Sequence, residues 1–245
     1  MEILVCIDDT DNLESPGTGH LAEILRADIE KLYGGKTSRI TRHQLFVSPE
    51  IPYTSHNSAM CFKAEMDIKY VEDLIAYAGK FLSEKSAKGS DPGLCVAVTE
   101  HVKDKEKLIR FGIDATKIVL TKKDAQLLAG ELEIHLSEHG GTGGGIIGAL
   151  SGVGLRMYGN NGRFKGWLAV KDTDRRITVK KLLSDYEIDE VRDISGGVPG
   201  PDDIIILEEK IKTVLLDGHS VLPVKKIKEE SPHWTNLGRD EIRKY

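Results

Sequence analysis

Apolar residues along the first 160 positions alternate between the spacing of strands and the spacing of helices. Residues 2–7 form a nearly continuous apolar run, which predicts a buried strand. Leucine and isoleucine then recur at helical spacing over 19–33, and the glycine pair 34–35 marks a helix end. The same pattern predicts further strands at 42–47, 58–66, 94–99 and 117–120, and helices at 71–85, 104–111, 122–138 and 146–158.

The pattern changes after about residue 175, where short apolar runs replace the long helical ones. Strands are predicted at 204–207, 211–216 and 220–224, and Asp217-Gly218 is a hairpin-turn signal between the last two. We therefore predict an α/β fold in two parts. A kinase-like catalytic domain spans 1–175, and a small β-rich or ferredoxin-like part spans 176–245.

The composition fits an ordinary globular chain of 245 residues. Lysine and arginine number 34 against 39 aspartates and glutamates, so the formal charge of −5 disfavours a broad nucleic-acid-binding surface. No apolar run approaches the roughly 20 residues of a membrane helix, and the chain start lacks a secretory signal, which predicts a cytoplasmic protein. Cys6, Cys61 and Cys95 form no CxxC pair, which excludes a zinc ribbon and indicates buried thiols.

Three carboxylates follow the first predicted strand directly. Asp8, Asp9 and Asp11 repel one another, and a divalent cation is the usual compensation. Oxygen ligands on a short turn after a strand suit Mg²⁺, which shares its remaining positions with substrate phosphates. Thr18 lies near the start of the next helix, where its hydroxyl can face such a phosphate or simply cap the helix.

A second candidate phosphate site is the glycine-rich loop at 140–145, which holds five glycines in six residues. A helix is predicted to follow it, and backbone N–H groups at a helix N-terminus favour an anion. The lysine of a P-loop is missing, and the helix predicted before the loop argues against a dinucleotide fingerprint. His139, just before the loop, is predicted to lean toward a bound phosphate.

Two further patterns indicate other chemistry. His135, Glu138 and His139 spell HxxEH, a zinc-protease pattern, if they share a helix face, but no third carboxylate ligand is marked. Asp9 and Asp11 after a hydrophobic strand also fit the start of a HAD-like phosphatase, as nucleophile and general acid. The glycine-rich loop has no role in that second interpretation.

The order of these pieces resembles the catalytic part of the archaeal isoleucine-tRNA agmatinylcytidine synthetase family. The resemblance covers roughly residues 1–170. It rests on short matching stretches at 7–11, Thr18, 51–59, 90–94 and 140–150.

That resemblance implies a specific chemistry. The family uses ATP to activate the C2 carbonyl of an anticodon cytidine, and agmatine then displaces the activated oxygen. Asp8, Asp9 and Asp11 would hold Mg²⁺ and the ATP phosphates, and Thr18 matches a threonine that family members phosphorylate on themselves. The other family positions around the nucleotide are matched by Asn57, Asp91, Gly140, Gly141, Thr142, Gly143 and Gly144.

The sequence also departs from the family. An OB domain and a zinc ribbon are absent from it, as in a shorter stand-alone form, and Gly19-His20 replaces a threonine and a tyrosine. Ser55 and His56 stand where the family carries basic residues. We therefore predict an ATP- and Mg²⁺-dependent phosphotransferase or ligase that acts on tRNA or a small molecule, with an amine such as agmatine as co-substrate. The alternatives are a nucleotide-binding sensor without catalysis and the phosphatase.

Overall fold

The computed structural model describes residues 1–51, 56–170, 175–208, 210–228 and 233–245. These residues form two compact units, Met1–Tyr158 and Gly159–Tyr245. The domain boundary predicted between residues 175 and 176 stays a prediction. Among the described residues, each helix is too short or too polar to span a lipid bilayer.

The larger unit alternates strands and helices. Its strands are β1 (Glu2–Asp8), β2 (Lys36–Thr37), β3 (Thr41–Gln44), β4 (Ser58–Glu65), β5 (Gly93–Val98) and β6 (His135–Glu138). Its helices are α1 (Thr18–Tyr33), α2 (Val71–Lys85, after a 3₁₀ turn at Ile68–Tyr70), α3 (Lys105–Asp114), α4 (Lys122–Leu132) and α5 (Gly145–Tyr158).

The strands of this unit lie in the order β6-β5-β1-β4-β3, with β2 also on β4, and every neighbouring pair is antiparallel. The chain order β1-α1-β3-β4-α2-β5 with the spatial order β5-β1-β4-β3 is a ferredoxin-like arrangement. This arrangement places β1 at the centre of the sheet. The acidic turn therefore leaves the middle of the sheet and not its edge.

Alternate residues of β1 supply two hydrophobic cores, because successive side chains of a strand point to opposite faces. Ile3, Val5 and Ile7 pack with α1 and α2 on one face. Leu4 and Cys6 pack with α3, α4 and α5 on the other. The central strand is thus buried on both faces, which explains its continuous apolar run.

The smaller unit is rich in β-strands. Its elements are β7 (Arg163–Phe164), β8 (Leu168–Ala169), β9 (Arg176–Thr178), α6 (Val179–Asp185), β10 (Glu190–Asp193), β11 (Ile204–Ile206), β12 (Lys210–Ile211), β13 (Val214–Leu216), β14 (His219–Lys226), β15 (His233–Asn236) and α7 (Arg239–Ile242). The central order is β7-β13-β14-β15-β11-β9; β10 also pairs with β14, and β8 pairs with β12. The β10–β14 and β11–β15 pairs are parallel and the others antiparallel.

The α/β class and most predicted elements are confirmed, but two predictions are wrong. The helix predicted over 122–138 ends at Leu132, because Glu133 adopts a left-handed conformation with φ 56° and the next residues pair with β5. Residues 117–120 form no strand. The amides of Lys117 and Ile118 instead bond to the Asp114 carbonyl in a turn that closes α3.

Candidate active site

A cavity of about 410 Å³ opens in the larger unit where β1 ends. Most of the predicted site residues line it, and the two neighbours of β1 are antiparallel to it. The predicted residues at its wall are Asp8, Asp9, Asp11, Thr18, Asn57, Asp91, Thr142 and Gly144.

The carboxylate of Asp8 is the most buried acid of this cavity. It is 8% exposed, and its Oδ1 accepts a hydrogen bond from the Asp9 amide at 2.9 Å. Burial, followed by the negative charge of Asp9, raises the pKa of Asp8 to about 7. Burial and the charges of Asp91 and Asp11 likewise raise the pKa of Asp9 to about 6. These carboxylates are thus held together against their mutual repulsion.

The backbone at Asp9 is strained. Its φ of 50° lies in the left-handed region, which non-glycine residues adopt at a cost of about 1–3 kcal/mol. Such strain is typical of sites whose geometry is fixed by surrounding contacts. Here it turns the chain sharply at the end of β1 and keeps Asp8, Asp9 and Asp11 on one cavity wall.

The hydroxyl of Thr18 is fixed by three hydrogen bonds. It donates to Asp11 Oδ1 at 2.8 Å and accepts from the Thr10 amide at 3.3 Å and the Thr10 hydroxyl at 3.2 Å. Gly17, not Thr18, is the N-cap of α1, so this hydroxyl does not cap the helix. A hydroxyl that donates to a carboxylate is positioned for proton transfer, because the carboxylate that would act as the base already accepts its hydrogen bond.

Helix α5 begins at the cavity and lies directly against Asp8. A Cβ added at Gly148 would overlap Asp8 Oδ2, so only glycine admits the carboxylate at this position. Gly145 likewise lies against the segment that leads into β5, since a Cβ there would overlap the Asp91 carbonyl oxygen. The first turn of α5, with its positive dipole end, therefore forms part of the cavity wall.

Asp91 connects the glycine-rich loop to this wall. Its Oδ1 accepts from the Thr142 amide at 2.6 Å and its Oδ2 accepts from the Thr142 hydroxyl, while its carbonyl accepts from the Gly145 amide at 3.1 Å. In the described part of the chain, the amides of Gly143 and Gly144 have no such acceptor. Gly144 lines the cavity, so its N–H group is available to an anion.

Sequence reasoning did not identify the opposite wall of the cavity. Arg42 on β3 is the one arginine or lysine among the described residues that line it, and its Nε donates to Ser58 Oγ at 3.0 Å. Burial lowers the pKa of Arg42, but a guanidinium stays charged at neutral pH. Apolar side chains also line the cavity: Leu45, Ile51, Ala115, Ile118, Val119 and Leu120.

Four predicted site residues do not line the cavity: His139, Gly140, Gly141 and Gly143. The ring of His139 instead lies on α2, with Nδ1 3.4 Å from Ser83 Oγ and Nε2 2.8 Å from Ser137 Oγ. Asn57 reaches the wall, but its amide Nδ2 donates to the Phe46 carbonyl at 2.7 Å and so also fixes the loop before β4. Residues 52–55 of the predicted stretch 51–59 lie outside the described residues.

The helix face required for the zinc-protease pattern is not formed. His135, Glu138 and His139 lie on or just after β6, where His135 Nε2 is 2.9 Å from Ser137 Oγ. Among the described residues, no three His, Cys, Asp or Glu side chains form a group that could by itself enclose a metal ion.

The acidic turn fits Mg²⁺ better than a structural metal. Mg²⁺ is commonly held by one or two carboxylates, with water and substrate phosphates completing its octahedron. Burial is the largest cause of the raised pKa values of Asp8 and Asp9, and neighbouring carboxylates add to it, so a bound cation would stabilise their charged forms. Asp8, Asp9 and Asp11 are the residues that would hold the ion.

No protein-family model matches the chain, and a search of curated proteins also finds no match. Solved structures do match. Apo TiaS, a tRNA agmatidine synthetase, has 26% identity and a TM-score of 0.55, and the match covers 81% of this chain and 48% of that one.

Two further structures show the same similarity. The complex of TiaS with tRNA and ATP has 25% identity and a TM-score of 0.55, covering 81% of this chain and 49% of that one. A tRNA fluorescent labeling enzyme has 27% identity and a TM-score of 0.55, covering 74% and 42%. The chain thus spans about half the length of the structures it matches, and the resemblance predicted from its sequence is confirmed.

Proposed function

We propose that this chain is an ATP- and Mg²⁺-dependent enzyme of the phosphotransferase or ligase type that activates an RNA or small-molecule acceptor. The observation that carries the proposal is the content of one cavity. Five carboxylates, one partly buried arginine, the N-terminus of α5 and the Thr18–Asp11 pair all line it. The similarity to the complex of TiaS with tRNA and ATP supports the same function.

The two ends of the cavity suit the two ends of ATP. The phosphates belong at the polar end, where the Gly144 amide and the α5 dipole attract negative charge. Arg42 lies close enough to Asp11 for their charges to interact, and it would balance charge on the transferred phosphoryl group. The apolar side chains at Ala115 and 118–120 suit the flat face of a nucleobase. Bound Mg²⁺ would neutralise developing negative charge on the phosphate oxygens.

Thr18 is the proposed transient acceptor. Its Oγ1 attacks the γ-phosphorus of ATP, the bond from that phosphorus to the β,γ-bridging oxygen breaks, and ADP leaves. The hydroxyl proton passes to Asp11 Oδ1, which already accepts it at 2.8 Å. Both Oγ1 lone pairs are engaged by Thr10, so these bonds must loosen before attack. The phosphoryl group then passes to the final acceptor.

The acceptor is proposed from the similar structures alone. TiaS has been solved with tRNA and ATP, so a tRNA carbonyl activated for attack by an amine such as agmatine is the first choice. A small-molecule carbonyl or hydroxyl is the second. Among the described residues, no feature of the cavity favours the HAD-like phosphatase, because the Asp11 carboxylate accepts from Thr18 and the glycine-rich loop, which has no role in that alternative, lines the cavity.

The test is product identification. The purified chain is incubated with Mg²⁺ and ATP labelled at the α- or γ-phosphate, alone and with unmodified tRNA plus agmatine. ADP, with the labelled γ-phosphate carried through Thr18 to the acceptor, would support the proposed transfer. AMP that forms only with the acceptor would still support ATP-dependent activation but would contradict the step at Thr18. Saturable ATP binding without any product would instead support the sensor alternative. A chain that neither binds nor turns over ATP contradicts the proposal.

A further inference from the structure

The glycine-rich loop is held on its outer side by a polar contact that lies outside the cavity. Lys122 at the start of α4 donates from Nζ to Glu138 Oε2 at 2.6 Å and to the Thr142 carbonyl at 2.8 Å. Gln126, one turn along α4, donates to the other oxygen of Glu138 at 3.1 Å. Side chains of α4 and β6 thus lie together beside the backbone of the loop.

The backbone of Gly143 is shaped to receive this contact. Its φ is +78°, and a Cβ built there would overlap Glu138 Oε2 and lie 2.7 Å from Lys122 Nζ. Glycine is therefore required on two grounds, the left-handed conformation and the space taken by the ion pair. The loop is thus held by Asp91 on the cavity side and by the Lys122–Glu138 pair on the outer side.

We infer that Lys122 and Glu138 are a pair of positioning residues for nucleotide binding. They hold the Thr142 carbonyl outward, so that the loop presents the N–H group of Gly144, which lines the cavity, to the phosphates. This inference rests on the proposed function. Neither side chain lines the cavity, so the pair acts through the loop and not by touching the nucleotide.

This positioning role can be distinguished from a contribution of the ion pair to the stability of the fold. The two side chains are 37% and 35% exposed, and ion pairs in such positions contribute little to folding. Without the pair, however, the glycine-rich loop has more conformational entropy in the free protein, and it must lose that entropy when phosphate binds. Loss of the pair should therefore weaken nucleotide binding more than it lowers the melting temperature.

The experiment compares Lys122→Met, Glu138→Ala and the double variant with a matched control pair. The control is Lys107→Met and Glu131→Ala, an ion pair that joins α3 to the same helix α4 but does not touch the loop. Two quantities are measured on the full chain. They are the Kd for Mg–ATP and the hydrogen-exchange rate of the segment 139–147 without nucleotide.

We expect each single variant and the double variant to raise the Kd by the same factor, about threefold to tenfold. Exchange over 139–147 should accelerate in all three, and the control variants should match the wild type in both measurements. Unchanged Kd and exchange would overturn the inference, as would a loss confined to Lys122→Met, which would mean that Glu138 has no part in holding the loop. A wild type that binds no Mg–ATP would overturn the proposed function and this inference together.

Discussion

The acidic turn and the glycine-rich loop form two walls of one cavity but are held in different ways. The acidic turn is fixed from within, because Thr10 is 1% exposed, Thr18 is 6% exposed, and both bond to each other and to the turn. The glycine-rich loop is fixed by side chains of other segments, because Asp91 binds Thr142 on the cavity side and Lys122, paired with Glu138, binds the Thr142 carbonyl on the outer side. The first wall is thus a rigid continuation of β1, and the second depends on contacts near the surface.

This difference separates chemistry from affinity. Changes in the acidic turn remove groups proposed to act on the phosphoryl group, so they should lower turnover most. Changes around the loop alter how well its N–H groups are presented, so they should act mainly on nucleotide binding. The following predictions run from the largest expected effect to the smallest.

Asp8→Asn should reduce ATP turnover by more than about 100-fold, because it removes a proposed Mg²⁺ ligand. The melting temperature should stay the same or rise, since a buried carboxylate with a raised pKa becomes a neutral amide. Steady-state turnover and thermal unfolding measure both effects, and the exposed Asp240→Asn serves as the control. Full ATP turnover by Asp8→Asn would show that the metal assignment is wrong.

Thr18→Val should reduce turnover by about 100-fold, whereas Thr18→Ser should retain most of it. The valine keeps the shape of the side chain but lacks the hydroxyl that donates to Asp11. Mass spectrometry of the wild type after incubation with Mg–ATP should find a phosphate on Thr18. Equal activity of the valine and serine variants would contradict the role of this hydroxyl.

Gly148→Ala should destabilise the chain by about 1–3 kcal/mol, because the new Cβ would overlap Asp8 Oδ2. It should also weaken Mg–ATP binding by displacing that carboxylate. The matched control is Gly130→Ala in α4, where a Cβ meets nothing within 4 Å and should stabilise the helix by about 0.5–1 kcal/mol. Urea unfolding measures both, and equal effects of the two alanines would contradict the close approach of α5 to Asp8.

Much of the acidic wall could be predicted from the sequence because its signals are local. A buried apolar run followed by three carboxylates marks a strand end with a charged turn, whatever the sheet topology. Thr18 was predicted at the helix start, although its hydroxyl binds Asp11 across seven residues instead of capping the helix. The antiparallel sheet was not predicted, since strand direction depends on contacts between distant segments.

The opposite wall and the outer contacts could not be predicted, because they join residues far apart in the chain. Arg42 meets the cavity only when β3 lies beside β4, and Lys122 reaches Glu138 only because α4 stops at Leu132. The segment 135–138 carries no strong strand pattern, and its pairing with β5 decides its conformation. The same pairing placed His139 on α2 and away from the cavity.

The most direct test of nucleotide binding in this cavity is an amide NMR titration of the full chain with Mg²⁺ and a non-hydrolysable ATP analogue. We predict saturable shifts at the amides of Thr18, Gly144 and Ile147, which line the cavity, and their loss in Asp8→Asn. No saturable shifts at these amides, or shifts confined to residues outside the cavity, would contradict the nucleotide site between the acidic turn and the glycine-rich loop.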